Sequence, residues 1–398
     1  MRVLLIATEK LPVPPIRGGA IQTYISGVAP MLSNKHDLTI LGISDPALPE
    51  RETVKRISYV RLSGKQNLEN YRKEIINFLK KNSFDIIHMF NRPYLVRAVR
   101  ETAPKSKIVL SMHNDMFGPD KIHPEEGEYA INQVDRIVTV SNYIGQNISN
   151  LFPAAAKKIR TIYSGVDLSR FVPYYSKEAQ TIRNTLRKKH NLQNKKIILY
   201  VGRLSPKKGA DILVWAMREL VKKHKNCVLV LVGSNWYSEN LVSDYVAFVR
   251  ALATRSPIPV ISTGFVTPDE VHQWYMAADI FVCTSQWQEP LARVHYEAMA
   301  AGLPIITTRR GGNVEVIQDN GLIVEKPEDP AEFAKKLSVL LEDPKLREKM
   351  GRKGRSMAEE KYSWKRVAEE ILEVWAELYT INEAAVERVS AKRIRQLG

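Results

Sequence analysis

The stretch KIILYVGRLSPKKGAD, residues 196–211, contains the pattern that decides the fold. A run of apolar residues ends at Gly202, a loop with a Ser-Pro pair follows, and Gly209 precedes a segment of helical length. A continuous apolar strand is typical of a parallel sheet that is covered by helices on both faces. The stretch therefore predicts a strand, a loop and a helix of an α/β domain.

The same unit recurs on both sides of a polar segment at 172–195. Short apolar runs rich in β-branched residues alternate with segments of helical length at 2–8, 37–43, 84–90, 107–112, 135–141 and 158–164, and again at 196–202, 227–233, 258–264, 279–285 and 303–308. Two such series predict two doubly wound, Rossmann-like domains in tandem, residues 1–172 and 173–364. Ligands of such sheets bind beyond the carboxyl ends of the strands, so the cleft between the domains is the predicted site.

The composition of the 398-residue chain excludes several classes of protein. Hydrophobic residues make up 44% and charged residues 26%, which is ordinary for a globular protein. No apolar run approaches the roughly 18 residues of a membrane-spanning helix. The opening MRVLLIATEK is predicted to be a strand and not a secretory signal, which makes the cytoplasm the expected location.

The net charge of +16 favours contact with polyanions or with an anionic membrane surface. Basic residues are concentrated at 183–196 and 387–398. Neither segment has interleaved aromatic residues or a recognition motif, so nucleic-acid binding is not expected. Peripheral contact with an anionic membrane is the hypothesis, and solvated helix faces are the alternative.

Two loops that follow strands predict contacts with an anionic or hydroxyl-rich ligand. Gly18 and Gly19 precede a helix that is predicted to begin at Ala20, and glycines let a backbone approach a ligand closely. Arg203 and Lys208 flank the Ser-Pro turn, where two cations would suit a diphosphate. A plain strand-to-helix turn and a solvated basic loop are the respective alternatives.

Three further features bear on the chemistry. Gly311 and Gly312 precede another predicted helix with Glu315 in its first turn, which predicts two glycine loops that face one cleft. His113 follows a strand of the first domain and is the candidate nearest to the chemistry, with a structural role as the alternative. No Asp-x-Asp occurs in the chain, so no metal site or cofactor is predicted, and phosphate neutralisation is left to the basic loop and to helix dipoles.

The segment SQWQEPLARVHYEAMAAG, residues 285–302, contains Glu289 and Glu297 with seven residues between them. Because proline is favoured in the first turn of a helix, a helix is predicted from Pro290 to a capping Gly302. Eight residues of such a helix span roughly 12 Å. The two carboxylates of a glycosidase are only ~5–9.5 Å apart, so a glycosidase pair is disfavoured.

This spacing instead suits two polar ends of one long ligand, with an anion between them at the helix start. The free amides at that start are predicted to be those of Leu291, Ala292 and Arg293. A nucleotide sugar has this layout of hexose hydroxyls, diphosphate and ribose hydroxyls. Two surface glutamates on an amphipathic helix are the alternative.

Together these segments resemble the retaining family 4 glycosyltransferases of group 1, which have the GT-B fold of two Rossmann-like domains facing a central cleft. The segment EPLARVHYEAMAAG is similar to the Glu-x7-Glu signature of that family, and RGG, GRLSPKKG, TGFV, AADIFVCTS and GGNVEVI follow in the family's order. The segment YSGVDLSRF resembles its connector between the domains. The resemblance covers essentially the whole chain. Within the family, the chain looks most similar to the members from the spore coat of Gram-positive spore formers.

The resemblance implies a role for each matching residue. Glu289 would hold hydroxyls of the transferred sugar, Glu297 would hold the ribose, and His113 would lie beside the sugar. The remaining implied donor contacts are the diphosphate ligands Arg203 and Lys208, the close-approach glycines Gly18 and Gly19, the backbone of Val266 at the base, and the loop residues Leu291, Ala292 and Arg293. The family often has Phe-Gly where Leu291 and Ala292 stand, so a donor preference does not carry over.

The activity implied is transfer of a hexose from a nucleoside-diphosphate sugar, with UDP the more frequent carrier, to a glycan, lipid-linked or protein hydroxyl. The family also implies metal independence, retention of configuration, and a C-terminal segment, 365–398, whose helix returns to the first domain. A role in spore coat or cell-envelope glycan synthesis would follow. The alternatives are a structural coat component with a vestigial site and a nucleotide-sugar epimerase of the same fold.

Overall fold

The computed structural model describes residues 1–64, 66–235 and 242–379. Two sheets make up its framework, and each sheet has hydrophobic clusters on both faces. In the first strand, Val3 and Leu5 belong to one cluster while Leu4 and Ile6 belong to the other. This alternation buries both faces of the strand, as the continuous apolar run predicts.

The N-terminal sheet has eight strands in the order β3-β4-β2-β1-β5-β6-β7-β8. They are β1 (Arg2–Ile6), β2 (Asp37–Ile43), β3 (Arg51–Val54), β4 (Ile57–Leu62), β5 (Ile86–Phe90), β6 (Lys107–Met112), β7 (Arg136–Thr139) and β8 (Ile159–Thr161). Its pairings are parallel except for β3 with β4.

The C-terminal sheet has six strands in the order β11-β10-β9-β12-β13-β14, and its pairings are parallel. They are β9 (Lys196–Val201), β10 (Cys227–Val232), β11 (Val260–Gly264), β12 (Ile280–Cys283), β13 (Ile305–Thr308) and β14 (Gly321–Val324). The predicted fold class, two doubly wound parallel-sheet domains, is therefore confirmed.

The α-helices alternate with the strands along most of the chain. In the first half they are α1 (Ala20–Leu32), α2 (Leu68–Leu79), α3 (Val96–Thr102), α4 (Pro124–Gln133), α5 (Asn142–Leu151) and α6 (Lys177–Lys189). In the second half they are α7 (Ala210–Leu220), α8 (Asp244–Thr254), α9 (Val271–Ala277), α10 (Val294–Ala300), α11 (Pro330–Glu342), α12 (Pro344–Lys361) and a C-terminal helix at 364–379.

The sequence patterns did not predict β3, β4 or β14. The first two form a hairpin whose two turn residues, Lys55 and Arg56, both have positive φ, at 48° and 68°. Such turns are normally signalled by asparagine or glycine, and neither residue is present at these two positions. Strand β14 is only four residues long and begins with a glycine, which is disfavoured in strands.

The two domains are joined by a connector and by the C-terminal helix. In the connector, the Val166 amide donates to the Tyr362 carbonyl at 2.8 Å. Trp364, at the start of the C-terminal helix, packs so closely on Gly27 and Gly165 that a Cβ at either glycine would lie within 2.5 Å of the indole ring. Further along, Trp375 is fully buried against the N-terminal domain. The predicted boundaries at 172/173 and 364/365 stay predictions.

The basic segment 183–196 is only partly at the surface. Arg183 and Arg187 of α6 are 9% and 7% exposed, and both bind the Asp279 carboxylate, at 2.7 and 2.6 Å. Their charges are therefore paired with a carboxylate inside the domain, whereas Lys188 and Lys189 are exposed. The other basic segment, 387–398, lies outside the described residues. Across the described ranges, no helix combines the length and apolar character needed to cross a bilayer.

Candidate functional site

A cleft of about 560 Å³ lies between the two sheets, at the carboxyl ends of their strands. The residues that were assigned catalytic or donor-binding roles from the sequence all line it: Gly18, Gly19, His113, Arg203, Lys208, Val266, Glu289, Leu291, Ala292, Arg293 and Glu297. The topology thus brings together residues from loops that are distant in sequence. The individual roles of these residues stay predictions.

The Glu289 carboxylate is the centre of the polar contacts in the cleft. Lys208 Nζ, Ser285 Oγ and Trp287 Nε1 all donate to its Oε2, at 2.7, 2.8 and 2.7 Å. Ser285 and Trp287 were not singled out from the sequence. Their positions, four and two residues before Glu289 on the same loop, were the only signal that could have indicated them.

The charge of Glu289 is maintained despite its burial. Burial alone would raise the pKa of Glu289, but the charge of Lys208 and the three hydrogen bonds lower it below the ordinary value of a glutamate. The residue is 6% exposed. The cleft therefore holds a charged, largely enclosed carboxylate whose cation partner reaches it from another loop.

Lys208 is positioned by contacts between its own loop and the Glu289 loop, residues 284–293. Thr284 Oγ1 donates to the Lys208 carbonyl at 2.7 Å, and the Gln286 amide donates to the Lys207 carbonyl at 2.8 Å. Gly209 has a φ of +64°, and a Cβ there would lie 2.5 Å from the Thr284 carbonyl oxygen. A glycine is thus required for the two loops to approach each other.

The helix predicted from Pro290 begins later in the structure. Helix α10 starts at Val294, and the amide of Ala292 donates to Asn313 Oδ1 at 3.1 Å, so that amide is not free. The prediction of a helix N-terminus directly after Glu289 was wrong, and the estimate of 12 Å from helical rise does not apply. Proline is tolerated in the first turn of a helix but also in an extended loop. The hydrogen bond from the Ala292 amide to Asn313 favours the extended loop after Pro290.

The second predicted glycine loop does not face the cleft. Gly311 and Gly312 begin a 3₁₀ turn, Gly311–Val316, that packs behind the Glu289 loop. The Gly312 amide donates to the Glu289 carbonyl at 2.8 Å, and a Cβ on Gly311 would lie 2.0 Å from that same oxygen. The glycines serve close backbone packing, which a glycine pair in the sequence cannot distinguish from ligand contact.

Glu297 lies in α10 on the wall of the cleft. Tyr275 Oη donates to its Oε2 at 2.8 Å, and Arg293 Nη2 donates to its Oε1 at 3.3 Å. Burial and the neighbouring carboxylate raise the pKa of Tyr275 well above its ordinary value, so its hydroxyl remains a donor. The guanidinium of Arg293 also lies over the Trp364 ring, 5.5 Å from its centroid, at the junction of the domains.

On the opposite side of the cleft, Gly18 and Gly19 precede α1, which begins at Ala20. Both have positive φ, at 85° and 104°. A Cβ on Gly19 would lie 2.3 Å from Gln22 Oε1, so the loop is packed closely against its own helix. The positive φ of both residues accounts for glycine here without reference to a ligand.

His113 follows β6 and faces the cleft from the N-terminal domain. Asn91 Oδ1 accepts hydrogen bonds from the amides of His113 and Asn114, at 2.6 and 3.1 Å. Burial, and secondarily the charge of Arg293, lower the pKa of His113 to about 3. Its imidazole is therefore neutral near pH 7 and can exchange hydrogen bonds without carrying charge. Asn91, which fixes this loop, was not predicted.

Another ion pair lies at the N-terminal side of the cleft. Arg92 binds Glu9 through two hydrogen bonds, both of 2.7 Å. Burial alone would raise the pKa of Glu9, but the contacts with Arg92 lower it overall. Arg92 and the half-exposed Lys10 line the cleft on this side. Within the described ranges, no cluster of three or more His, Cys, Asp or Glu side chains is arranged to hold a metal ion.

Comparison with known proteins gives the family. The model of the glycosyl transferases group 1 matches residues 182–357, and that of glycosyltransferase family 4 matches residues 18–170. Spore coat protein SA of Bacillus subtilis is 45% identical over 94% of this chain and 99% of its own length. The putative glycosyltransferase YtcC of the same organism is 41% identical, with 96% and 93% of the two chains covered.

The fold is found in solved structures as well. Alr3699/HepE of Anabaena, solved in complexes with UDP and with UDP-glucose, superposes with a TM-score of 0.76 over 95% of this chain and 100% of its own. Its 20% identity supports the fold alone. On the evidence of its family matches and relatives, the chain belongs to the group 1 glycosyltransferases, and its two domains have the GT-B fold.

Proposed function

We propose that this glycosyltransferase moves a hexose from a UDP-sugar to an acceptor hydroxyl, with retention of anomeric configuration and without a metal ion or other cofactor. The observation that carries the proposal is the charged Glu289 carboxylate, which is held by Lys208, Ser285 and Trp287 in the cleft between the domains. This arrangement offers an anion to sugar hydroxyls and a cation to the diphosphate within one loop pair.

Donor binding would use both members of the Lys208–Glu289 pair. Among the described residues, all three protein donors contact Oε2 of Glu289, which leaves Oε1 to accept from a sugar hydroxyl. The ammonium of Lys208 would share its three donors between Glu289 and the diphosphate, and Arg203 would add a second cation. Glu297 would accept from the ribose hydroxyls, and the Val266 backbone would contact the base.

Transfer would proceed from the same face as the leaving group. The acceptor oxygen would bond to the anomeric carbon as the bond from that carbon to the diphosphate breaks, and a diphosphate oxygen would take the proton of the acceptor. Of the described residues, the carboxylates that line the cleft are Asp167, Glu289 and Glu297, and each accepts hydrogen bonds from protein groups. The proposed route requires none of these carboxylates to act as a nucleophile.

His113 would then position the transferred sugar. A neutral imidazole can donate to or accept from a sugar hydroxyl, but at neutral pH it offers no proton as an acid because its pKa is about 3. UDP is supported as the carrier by the UDP and UDP-glucose complexes of the Anabaena structure. The acceptor would be a glycan, lipid-linked or protein hydroxyl, approached from the cytoplasm or at an anionic membrane surface.

The first test is a panel of UDP-, GDP- and ADP-sugars, read by nucleotide release and by calorimetry. Lys208→Ala should weaken binding of the nucleoside diphosphate by about tenfold or more, because a hydrogen bond to a charged group contributes ~1.5–3 kcal/mol. Lys207→Ala is the matched control, since Lys207 is exposed and neighbours the same ring of Trp287 without contacting Glu289. Equal affinities for wild type and Lys208→Ala would eliminate the proposed diphosphate site.

Metal independence is tested by chelation. We expect EDTA to leave the transferase rate unchanged within error, because the phosphate charge would be balanced by Arg203 and Lys208. Loss of activity that manganese or magnesium restores would contradict the proposal.

A structural coat role is the second candidate, since the relative with 45% identity is named for the spore coat. The two functions differ in what the cleft binds. A purely structural component would neither bind nor turn over any nucleotide sugar of the panel.

A further inference from the structure

We propose that Glu315 is a positioning residue that fixes the Glu289 loop relative to the N-terminal domain during transfer. The inference rests on the proposed function for its kinetic test. Glu315 belongs to the Gly311–Val316 turn of the C-terminal domain, but its carboxylate contacts the other domain.

The carboxylate caps a helix of the opposite domain. The amides of Asn142 and Tyr143, the first two residues of α5, donate to Oε2 and Oε1 of Glu315, both at 2.8 Å. Tyr163 Oη, in the connector, donates to Oε2 at 2.8 Å. A carboxylate at a helix start satisfies free amides and interacts favourably with the helix dipole. Here Ser141 supplies the local cap, so Glu315 supplies an additional one from the other domain.

The same turn holds the Glu289 loop from behind. Besides the bond from the Gly312 amide to the Glu289 carbonyl, Asn313 Oδ1 accepts from the Ala292 amide, and the Gly311 amide donates to Gln288 Oε1 at 2.7 Å. A short chain of hydrogen bonds therefore runs from the start of α5 through the turn to the backbone of Glu289. Breaking it at Glu315 would release the loop from the N-terminal domain but not from its own domain.

This arrangement predicts a separation between binding and turnover. The residues proposed to bind the nucleoside diphosphate, Arg203, Lys208 and Glu297, belong to the C-terminal domain alone. Transfer needs the Glu289 loop to face the His113 side of the cleft, and reaction rates depend steeply on such alignment. Loss of the Glu315 contacts should therefore lower kcat and leave nucleotide affinity unchanged.

Two variants break the contact from opposite sides. Glu315→Gln keeps the shape but places an amide group against two N–H donors. Asn142→Pro removes one of those donors at the first helical position, where proline is favoured, and Ser141 already has the extended conformation that must precede it, with φ −156° and ψ 157°. Asn142→Ala removes the asparagine side chain but keeps the backbone N–H, so it is the control for loss of the side chain alone. Glu332→Gln is the matched control, because Glu332 accepts two backbone amides within its own domain.

The kinetic readout compares kcat with the dissociation constant of the nucleoside diphosphate. We expect Glu315→Gln and Asn142→Pro to lower kcat by about tenfold or more while affinity stays within roughly twofold of wild type. Glu332→Gln should match wild type in both. A kcat near wild type in both variants, or an equal loss of nucleotide affinity, would overturn the inference.

A distance measurement tests the inference without activity. Because both native cysteines are buried, spin labels at Lys73→Cys on α2 and Lys345→Cys on α12 would report the separation of the two domains. We expect a broader distance distribution in Glu315→Gln and Asn142→Pro than in Glu332→Gln. If no nucleotide sugar is turned over, the proposed function fails. In that case the distances still test the inference, and unchanged distributions in both variants would overturn it.

Discussion

Glu289 is both buried and charged, so substitution of Glu289 or of one of its hydrogen-bond partners has a measurable effect. Removing one partner of a buried ion pair leaves an uncompensated charge, so variants at this position and at Lys208 act on stability as well as on binding. Glutamine retains the shape of the side chain and some of its hydrogen bonds. It is therefore the substitution that separates the role of the charge from that of the fold.

Glu289→Gln and Glu297→Gln should impair the enzyme in different ways. The sugar ring gains positive charge as its bond to the diphosphate breaks, so loss of the Glu289 charge should lower turnover by about tenfold or more with nearly unchanged affinity for UDP. Glu297 is expected to face the ribose, which does not change in the reaction. Its variant should weaken binding of UDP and of the donor alike. The measurements are steady-state kinetics and calorimetry with free UDP.

Each variant of this pair is the control for the other. The proposal that Glu289 and Glu297 bind the two ends of one donor would be wrong if both variants bound UDP normally and turned over the donor at the wild-type rate.

At the scale of elements, the turn behind the Glu289 loop depends on glycine. Gly311 has a φ of +54°, and a Cβ there would lie 2.0 Å from the Glu289 carbonyl oxygen, which is backbone and cannot move aside easily. Gly311→Ala should therefore lower the free energy of unfolding by ~1–3 kcal/mol and shift the Glu289 loop. Urea denaturation measures the first effect, and UDP-sugar turnover reports the second.

The control is Gly42→Ala in β2. A Cβ at Gly42 would come no nearer than 3.8 Å to its neighbours. Equal stability of the two variants would show that the close packing at Gly311 is relieved by movement.

The C-terminal helix is anchored on a buried histidine, which makes its docking sensitive to acid. Trp375 Nε1 donates to His88 Nδ1 at 3.3 Å, and Ser111 Oγ lies 2.7 Å from His88 Nε2. Burial, and secondarily His113, lower the pKa of His88 to about 3. Between the ordinary histidine pKa of 6.5 and about 3, the unfolded chain therefore binds a proton that the folded chain does not.

The contribution of His88 to the free energy of unfolding should therefore be complete above pH 6.5. As the pH falls below that value, this contribution should decrease by about 1.4 kcal/mol per pH unit. Urea denaturation at about pH 7 and about pH 5 measures the difference. His88→Gln should be less stable at the higher pH but should show a smaller loss on acidification. An identical pH dependence in wild type and variant would contradict the assignment to His88.

At the scale of the whole molecule, the net positive charge predicts attraction to anionic membranes. Less of this charge is exposed at the surface than the sequence indicates. Arg183 and Arg187 are buried on Asp279, so the exposed charge of this region comes from residues such as Lys188 and Lys189. We expect sedimentation with anionic liposomes that weakens at raised salt, and weaker still after Lys188→Glu with Lys189→Glu. Equal, negligible binding to anionic and neutral liposomes would leave these lysines as solvated surface.

Much of the framework was predictable because it depends on local patterns. Continuous apolar runs determined the core strands and their parallel pairing, and the loops that follow them could be placed at one cleft by topology alone. The hairpin at Lys55 and Arg56 escaped prediction because tertiary pairing imposed positive φ on residues that do not signal it. The helix start after Pro290 was misplaced because Asn313, distant in sequence, captured the Ala292 amide.

The sequence by itself therefore determined the fold class, the cleft and many of the residues that line it, because the apolar runs and the loops that follow them can be read from local patterns. The tertiary structure alone decided which groups meet inside that cleft. Three donors converge on one oxygen of Glu289, the second glycine pair turns away to support its loop, and Glu315 reaches across to α5. These contacts join segments far apart in the chain, and their geometry is set by backbone packing that no single segment encodes.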